Sequence, residues 1–174
     1  MKIYIISGGP STGKTSVINA LKKKGYKVLI EAARYLGDND KRFKGKSIKG
    51  IDKKKFQDAI FELQKKQIVG LKNEKIVFSD RGLGDTIAYY RINKLKVPKN
   101  LINYAKKFKY SGIFILDFLD FYEVDKLRKE TKEEQEFIQR EIIKSYKELG
   151  YGFIIVPFMS IEDRSRFIIS KIKN

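Results

Sequence analysis

Between Gly8 and Thr15 the chain reads Gly-Gly-Pro-Ser-Thr-Gly-Lys-Thr, with a lysine at the mouth of an apolar helical pattern (Val17, Ile18, Leu21). The N-terminus of a helix already carries roughly half a positive charge, so a lysine there is unfavourable unless something strongly negative sits between the two. The spacing G-x-x-x-x-G-K-[ST] has that purpose in P-loops, and its context is present: an apolar strand before it (Ile3 to Ser7) and a helix after it. Glycines let successive backbone amides turn inward as a nest for phosphate oxygens. The lysine then reaches the β- and γ-phosphates, and the following hydroxyl coordinates Mg²⁺. Gly8, Gly9, Pro10, Ser11, Thr12, Gly13, Lys14, Thr15 and Ser16 are therefore expected to hold a nucleoside triphosphate. ATP is the expected ligand; the pattern admits GTP as well.

A phosphate cradle names no reaction, so the remaining charged residues decide. "IVFSDRGLGD" is an apolar strand ending in Asp80-Arg81. An acid at the carboxyl end of a strand beside the cradle can hold Mg²⁺, so Thr15 and Asp80 are the expected metal-binding pair. Arg81 can neutralise phosphate charge on donor or acceptor; a surface salt bridge at a turn is the plainer alternative. "VLIEAARYL" puts Glu31 at the end of another strand, with Arg34 one turn on. In open α/β sheets that edge forms the ligand crevice, so Glu31 could take a proton from an acceptor hydroxyl and Arg34 could anchor the acceptor. A solvated Glu-Arg pair at a helix start competes with this. Lys126, Arg128 and Lys129 fall in an irregular charged segment. They suit either a basic lid over the triphosphate or an ordinary solvated charge run.

Composition narrows the chemistry further. The 174 residues contain neither cysteine nor histidine. That removes disulfides, thiol nucleophiles, zinc sites and imidazole acid-base catalysis, leaving a hard metal ion on oxygen ligands and a carboxylate or lysine as base. The net charge of +17 allows a polyanionic partner, nucleic acid or anionic lipid, although the lysines are scattered over helical faces and suit a merely basic surface better. No apolar run is long enough to span a membrane, and "MKIYIIS" lacks the core of a signal peptide, so a cytoplasmic location is expected. Oligomeric state is not encoded in any motif.

These residues need positioning, and the hydrophobic pattern supplies the elements. Ile3 to Ser7, Lys27 to Ile30, Ile76 to Ser79, Gly112 to Leu116 and Phe153 to Val156 are short apolar runs, as expected for strands covered on both faces of a parallel sheet. Between them lie helical patterns. One runs from Lys14 to Lys24 and stops at Gly25. Another begins near Lys53, with Phe56, Ala59, Ile60, Leu63 and Gln67 along one face. A third opens on the capping box Thr131-Lys-Glu-Glu134 and ends at Gly150, and a last one starts at Ser160. The alternation βαβαβαβαβα predicts one three-layer α/β domain over residues 1–174. Two stretches lack regularity: the basic loop Gly37 to Lys55 and the charged connection Phe118 to Glu130.

"SGGPSTGKTSVINALKKKGYKVLIEAAR", "FSDRGLGDTIAYY" and "YKELGYGFIIVP" together resemble the NadR-like P-loop domains labelled AAA domains, whose wider relatives are the ribosylnicotinamide, deoxynucleoside and thymidylate kinases. The resemblance covers nearly the whole chain, least well in the basic loop. It implies a five-stranded parallel sheet in the order 2-3-1-4-5, Asp80-Arg81 in the place of a kinase "DR" pair, Glu31 in the place of a base, and Arg128 as a lid arginine. The base of the donor is expected near the loop after Val156 and around Arg164.

Three rival readings compete with this one. A regulatory GTPase needs N-K-x-D and D-x-x-G, but Asn93-Lys94-Leu95-Lys96 and Asp80-Arg81-Gly82-Leu83 match neither. A mechanical ATPase needs an acidic pair where Asp80 is followed by Arg81. A nucleotide-dependent binder of nucleic acid or anionic lipid draws support from "KRFKGKSIKG" and from "NYAKKFKY", where Tyr104, Phe108 and Tyr110 alternate with lysines. On an amphipathic helix such aromatics more often belong to the core, and that placement is the expected one. The expected activity is thus Mg²⁺-dependent transfer of the γ-phosphate to a small hydroxyl-bearing metabolite, a nucleoside or nucleotide-like acceptor being favoured.

Overall fold

The computed structural model describes residues 1–46, 50–71, 74–118 and 131–172. In chain order the elements are β1 (Lys2–Ser7), α1 (Lys14–Lys23), β2 (Lys27–Leu29), α2 (Ala32–Asn39), α3 (Lys53–Val69), β3 (Ile76–Asp80), α4 (Leu83–Ile92), α5 (Lys99–Lys107), β4 (Gly112–Leu116), α6 (Lys132–Glu148), β5 (Ile154–Val156) and α7 (Ile161–Lys171). All strand pairings are parallel, in the order β2-β3-β1-β4-β5. The expected α/β three-layer fold and strand order are both present.

Alternation along β1 explains the layers. Ile3 and Ile5 point into a core formed with α3, α4, α5 and α6, through Phe61, Leu83, Ile87, Leu101, Ile142 and Tyr146. Tyr4 and Ile6 point the other way, against Val17, Ile18 and Leu21 of α1 and Ile168 of α7. Strands buried on both faces need no polar alternation, hence their continuous apolar sequence. A parallel sheet also gathers every strand's carboxyl end along one edge. Ile6 lies opposite Asp80 and Ser7 opposite Ile115, so β3 delivers Asp80 beside the loop that leaves β1.

Two crossovers contain two helices each, where the sequence pattern predicted one. Between β2 and β3, α2 runs on to Asn39 and α3 begins at Lys53, so the irregular stretch expected from Gly37 to Lys55 is shorter at both ends. Asp52 caps α3 by accepting from the Lys55 amide at 3.0 Å, and the Asn39 side chain donates back to the Tyr35 carbonyl at 2.9 Å. The most deeply buried residues of α3 are Gln57, Ile60, Phe61 and Gln64; of the expected Phe56–Ala59–Ile60–Leu63 stripe only Ile60 is among them, the others being half-buried. That stripe faces a separate small cluster with Ala32, Leu36 and Phe43. Two apolar surfaces on one helix blur its period, and two glutamines on the deeper one disguise it as polar. The aromatics of "NYAKKFKY" pack inward: Tyr104 stacks on Phe108, and Phe108 meets Tyr110 edge-on. They are not offered to nucleobases.

α4 and α6 approach closely enough that Gly84 has no room for a side chain. A Cβ there would lie 2.6 to 2.7 Å from the ring of Tyr146, which is fully buried. Alanine at a helical glycine ordinarily gains up to about 1 kcal/mol. Here overpacking costs about 1–3 kcal/mol and outweighs that gain. Gly84→Ala is expected to lower the midpoint in urea without changing the slope.

Candidate functional site

The turn after β1 is built as a cup. Gly8, Ser11 and Gly13 all have positive φ, at +140°, +59° and +82°. At Gly8 a Cβ would also meet the Leu116 carbonyl at 2.9 Å. Left-handed backbone at Ser11 and again at Gly13 swings neighbouring amides toward a common centre. Gly13 is the N-cap of α1 and supplies no side-chain oxygen, and the first turn of α1 holds no acid. The orphan amides of that helix end are thus free to meet an anion.

The cup is braced from outside. Arg164 of α7 is almost fully buried, with its guanidinium spread over three carbonyls: Thr12 at 2.7 Å, Pro157 at 3.1 Å and Asp117 at 3.2 Å. One side chain ties the loop to the ends of β4 and β5. Its NH groups are committed to that staple rather than to reading a base. From α6, Gln139 Oε1 accepts the Gly9 amide at 2.9 Å.

Lys14 folds back over the cup. Its Nζ donates to the Gly9 carbonyl at 2.5 Å and to Thr12 Oγ1 at 3.3 Å. Burial, and then the nearby Arg81 cation, push its pKa down to about 7. A lysine desolvated in this way lacks its natural counter-charge.

Opposite it stand the carboxylates. Asp80 ends β3 and Glu31 occupies the N-cap of α2, one residue beyond Ile30. Arg81 joins them: Nε donates to Glu31 Oε1 at 2.8 Å, and Nη1 donates to Asp85 at 3.1 Å and to the Gly8 carbonyl at 3.4 Å. The guanidinium also lies 5.3 Å from the ring centre of Tyr89. Burial works to raise the Glu31 pKa, but Arg81 outweighs it and holds the carboxyl below its ordinary value. Asp80 goes the other way, pushed up to about 6 by burial and then by Glu31. Its Oδ1 is buried and, among the described residues, has no hydrogen-bond partner.

That orphaned oxygen fits a hard cation. Among the described residues no cluster of three or more acidic side chains could hold a metal alone. The donor set is instead one carboxylate oxygen, the half-buried Thr15 hydroxyl and whatever phosphate oxygens the cup receives, which is how Mg²⁺ is ordinarily bound.

Beyond Glu31 and Arg81 opens a cavity of about 290 Å³ among α2, α3 and α4, floored by Phe56, Gln57, Gln64 and Tyr89. Gln64 Oε1 accepts from Thr86 at 2.8 Å, and Gln57 Oε1 is buried without a partner among the described residues. An apolar slot with a few fixed polar groups is the usual form of a small-molecule site.

Lys14, Glu31 and the adjacent pair Asp80-Arg81, three places far apart in sequence, are thus brought together. Arg34 is exposed and does not line the cavity. Ser16 is exposed on α1, and Lys126, Arg128 and Lys129 lie outside the described residues. Sequence reasoning missed Asp85, Gln57, Gln64, Tyr89 and Gln139. Only Asp85 left a signal, an acid four residues after Arg81 in the first turn of α4.

The chain belongs to the AAA domain family, whose profile matches residues 3–164. In fold it is similar to thymidylate kinase from Ehrlichia chaffeensis, with a TM-score of 0.64, 16% identity and 97% of each chain covered. It is likewise similar to deoxyadenosine kinase from M. mycoides with bound dATP, at TM-score 0.59 and 17% identity over 98% of each chain. The NadR protein in complex with NR gives a TM-score of 0.64 at 17% identity, over 97% of this chain and 49% of the other. Such identities establish the shared three-layer fold. No curated protein sequence matches the chain. Among the described residues no helix is long and apolar enough to cross a membrane.

Proposed function

We propose that the chain is a P-loop phosphotransferase that moves the γ-phosphate of ATP to a hydroxyl of a small acceptor, a nucleoside or nucleotide-like molecule. One observation carries the reading: the Arg81 guanidinium touches both the Gly8 carbonyl of the cup and Glu31 at the mouth of the cavity. A donor phosphate and an acceptor hydroxyl would meet across that single side chain. The names of the fold neighbours, kinases of a nucleotide, of a deoxynucleoside and the NR-bound NadR protein, agree with it.

The backbone from Gly8 to Thr15 and the Lys14 ammonium would grip the polyphosphate, with Ser16 continuing the first turn. Thr15 and Asp80 would hold Mg²⁺, which would supply charge neutralisation for the transferring phosphoryl group. Glu31, kept ionised by Arg81, accepts a hydrogen bond from the acceptor hydroxyl and so aims its oxygen at the γ-phosphorus. As the new P–O bond forms and the bond to the β-γ bridging oxygen breaks, the hydroxyl proton passes to Glu31 and ADP departs. Arg81 offsets charge on the transferring group, and Arg128, outside the described residues, is proposed for the same task. Phosphoryl transfer asks mainly for this positioning and charge stabilisation, so lack of histidine and cysteine is no handicap.

The test is incubation of the protein with γ-labelled ATP, Mg²⁺ and a panel of nucleosides and nucleoside monophosphates. Label in a discrete small molecule is the expected result. Release of inorganic phosphate alone would favour a regulatory nucleotide hydrolase, and no turnover at all would overturn both readings.

A further inference from the structure

Asp85 is among the most deeply buried carboxylates described, 1% exposed on the inner face of α4. An ionised acid so far from water survives only if its oxygens are saturated by donors. They are. Oδ1 receives Ser7 Oγ at 2.6 Å and Arg81 Nη1 at 3.1 Å. Oδ2 receives the Gly82 amide at 3.0 Å and Tyr146 Oη at 2.6 Å. The four donors come from β1, from the turn after β3, from that same turn's end at α4, and from α6.

Capping α4 does not require this arrangement. An exposed acid at the third helical position caps equally well, and the bond from Gly82 would suffice. What the burial adds is a fixed anion against one arm of Arg81. The Arg81 backbone stands at φ +68°, a left-handed conformation unusual for a side-chain-bearing residue. With Nε on Glu31 and Nη1 on Asp85, the planar guanidinium has a single permitted orientation. It also forms part of the cavity wall.

We infer that Asp85 is a positioning residue for the transfer reaction: anchored by Ser7 and Tyr146, it locks Arg81, and through Arg81 holds the Glu31 carboxylate at the acceptor hydroxyl. The inference rests on the phosphotransferase reading above. Without Asp85, Arg81 would keep the Nε bond to Glu31 and a long contact to the Gly8 carbonyl, and could rotate with its partner. The packing of Tyr146 against Gly84 also makes α6 part of the anchor, so the helix that braces Gly9 through Gln139 braces the acceptor side through Tyr146.

The experiment compares wild type, Asp85→Asn, Glu31→Gln and the double variant in steady-state transfer to an acceptor that the panel identifies. In Asp85→Asn the amide NH2 must oppose either the Gly82 N–H or the Arg81 Nη1–H, and in both orientations the negative charge against Arg81 is gone, so the lock weakens while side-chain volume is kept. A small misplacement of reacting groups costs on the order of a hundredfold, so kcat should fall by about that factor with the KM for ATP unchanged within about twofold. If Asp85 acts chiefly through Glu31, the double variant should be only slightly slower than Glu31→Gln alone, the remainder being Arg81's own charge on the transferring group. The Arg81 Nε–H resonance in ¹H–¹⁵N spectra should be sharp and shifted downfield in wild type and should lose that signature in Asp85→Asn. Should Asp85→Asn not fold, Tyr146→Phe removes one donor and keeps the ring; its kcat should drop several-fold, again chiefly where Glu31 is present.

Undiminished kcat in a folded Asp85→Asn, a loss that multiplies with Glu31→Gln, or an unchanged Arg81 resonance would each overturn the inference while leaving a phosphotransferase in place. Wild type that transfers phosphate to nothing on the panel, with the Arg81 resonance as expected, removes the reaction and the positioning role together, and so marks failure of the broader reading.

Discussion

Lys14→Ala is expected to abolish transfer and yet leave an unliganded protein at least as stable as wild type. Removing a preorganised cation from a buried phosphate site costs on the order of a thousandfold in turnover. The stability half follows from the lowered pKa. Folding takes a lysine of ordinary pKa 10.5 to about 7, first by burial and then by the repulsion of Arg81. The folded state therefore binds that proton less tightly than the unfolded one. The resulting cost is absent above the unfolded value, grows as pH falls, and is fully present below about pH 7. Alanine abolishes it; the Gly9 carbonyl loses one of its two donors and keeps Thr12 Oγ1 at 3.0 Å. Thermal unfolding near pH 6.5 without nucleotide should give an equal or higher Tm for the variant, while calorimetry with ATP and Mg²⁺ should show little heat. A large drop in Tm would mean that Lys14 is a structural residue that happens to sit in the loop. Such a trade between stability and activity is common where a site is built for a ligand's charge rather than for its own empty state.

Glu31→Gln should act on the other half of the reaction. The glutamine keeps a carbonyl oxygen for the Arg81 Nε–H, so the geometry survives, but it has no charge to draw in a hydroxyl proton. Transfer is expected to fall by roughly a hundredfold or more, as for loss of a general base, with ATP affinity nearly unchanged. Stopped-flow or coupled assays at saturating ATP would measure it directly. Turnover equal to wild type would remove Glu31 from the mechanism and leave it as the Arg81 partner alone. Together the two substitutions would divide the proposed site along Arg81, with the donor on one side and the acceptor on the other.

Residues that stand in one unbroken stretch were the legible ones. The cup from Gly8 to Thr15 is local: its glycines, its lysine and its helix start are specified within one turn of chain, so the spacing suffices to expect an anion there. Asp80-Arg81 was legible for a related reason, because two charges closing a wholly apolar strand mark the point where the sheet core gives way to a polar edge. The capping box at Thr131 and the Ser160 N-cap behave likewise, with side chains meeting amides three residues away. Gln57 and Gln64 were not legible. On a helix whose two faces both pack, a buried glutamine reads as an interruption of the apolar stripe, and only the cavity beside α4 reveals what it faces. Arg164 shows the same difficulty in reverse. The sequence put it near the expected place of the donor base, but not its bonds to three carbonyls, those of Thr12 and Asp117 far along the chain and that of Pro157 in the preceding loop.

The amino-acid order alone determined a parallel α/β sheet, a P-loop turn at the end of its first strand and a set of charged residues without thiol or imidazole, since each depends on short-range periodicity or on residue types. Tertiary structure decided which charges share that cup. Glu31 precedes α2, Arg81 and Asp85 follow β3 as a local pair, and Tyr146 and Gln139 reach in from α6. Their meeting depends on strand order and register, which set Asp80 opposite Ile6. Long-range pairing is fixed by the packing of whole faces and not by any local pattern, so no reading of neighbours along the chain can supply it.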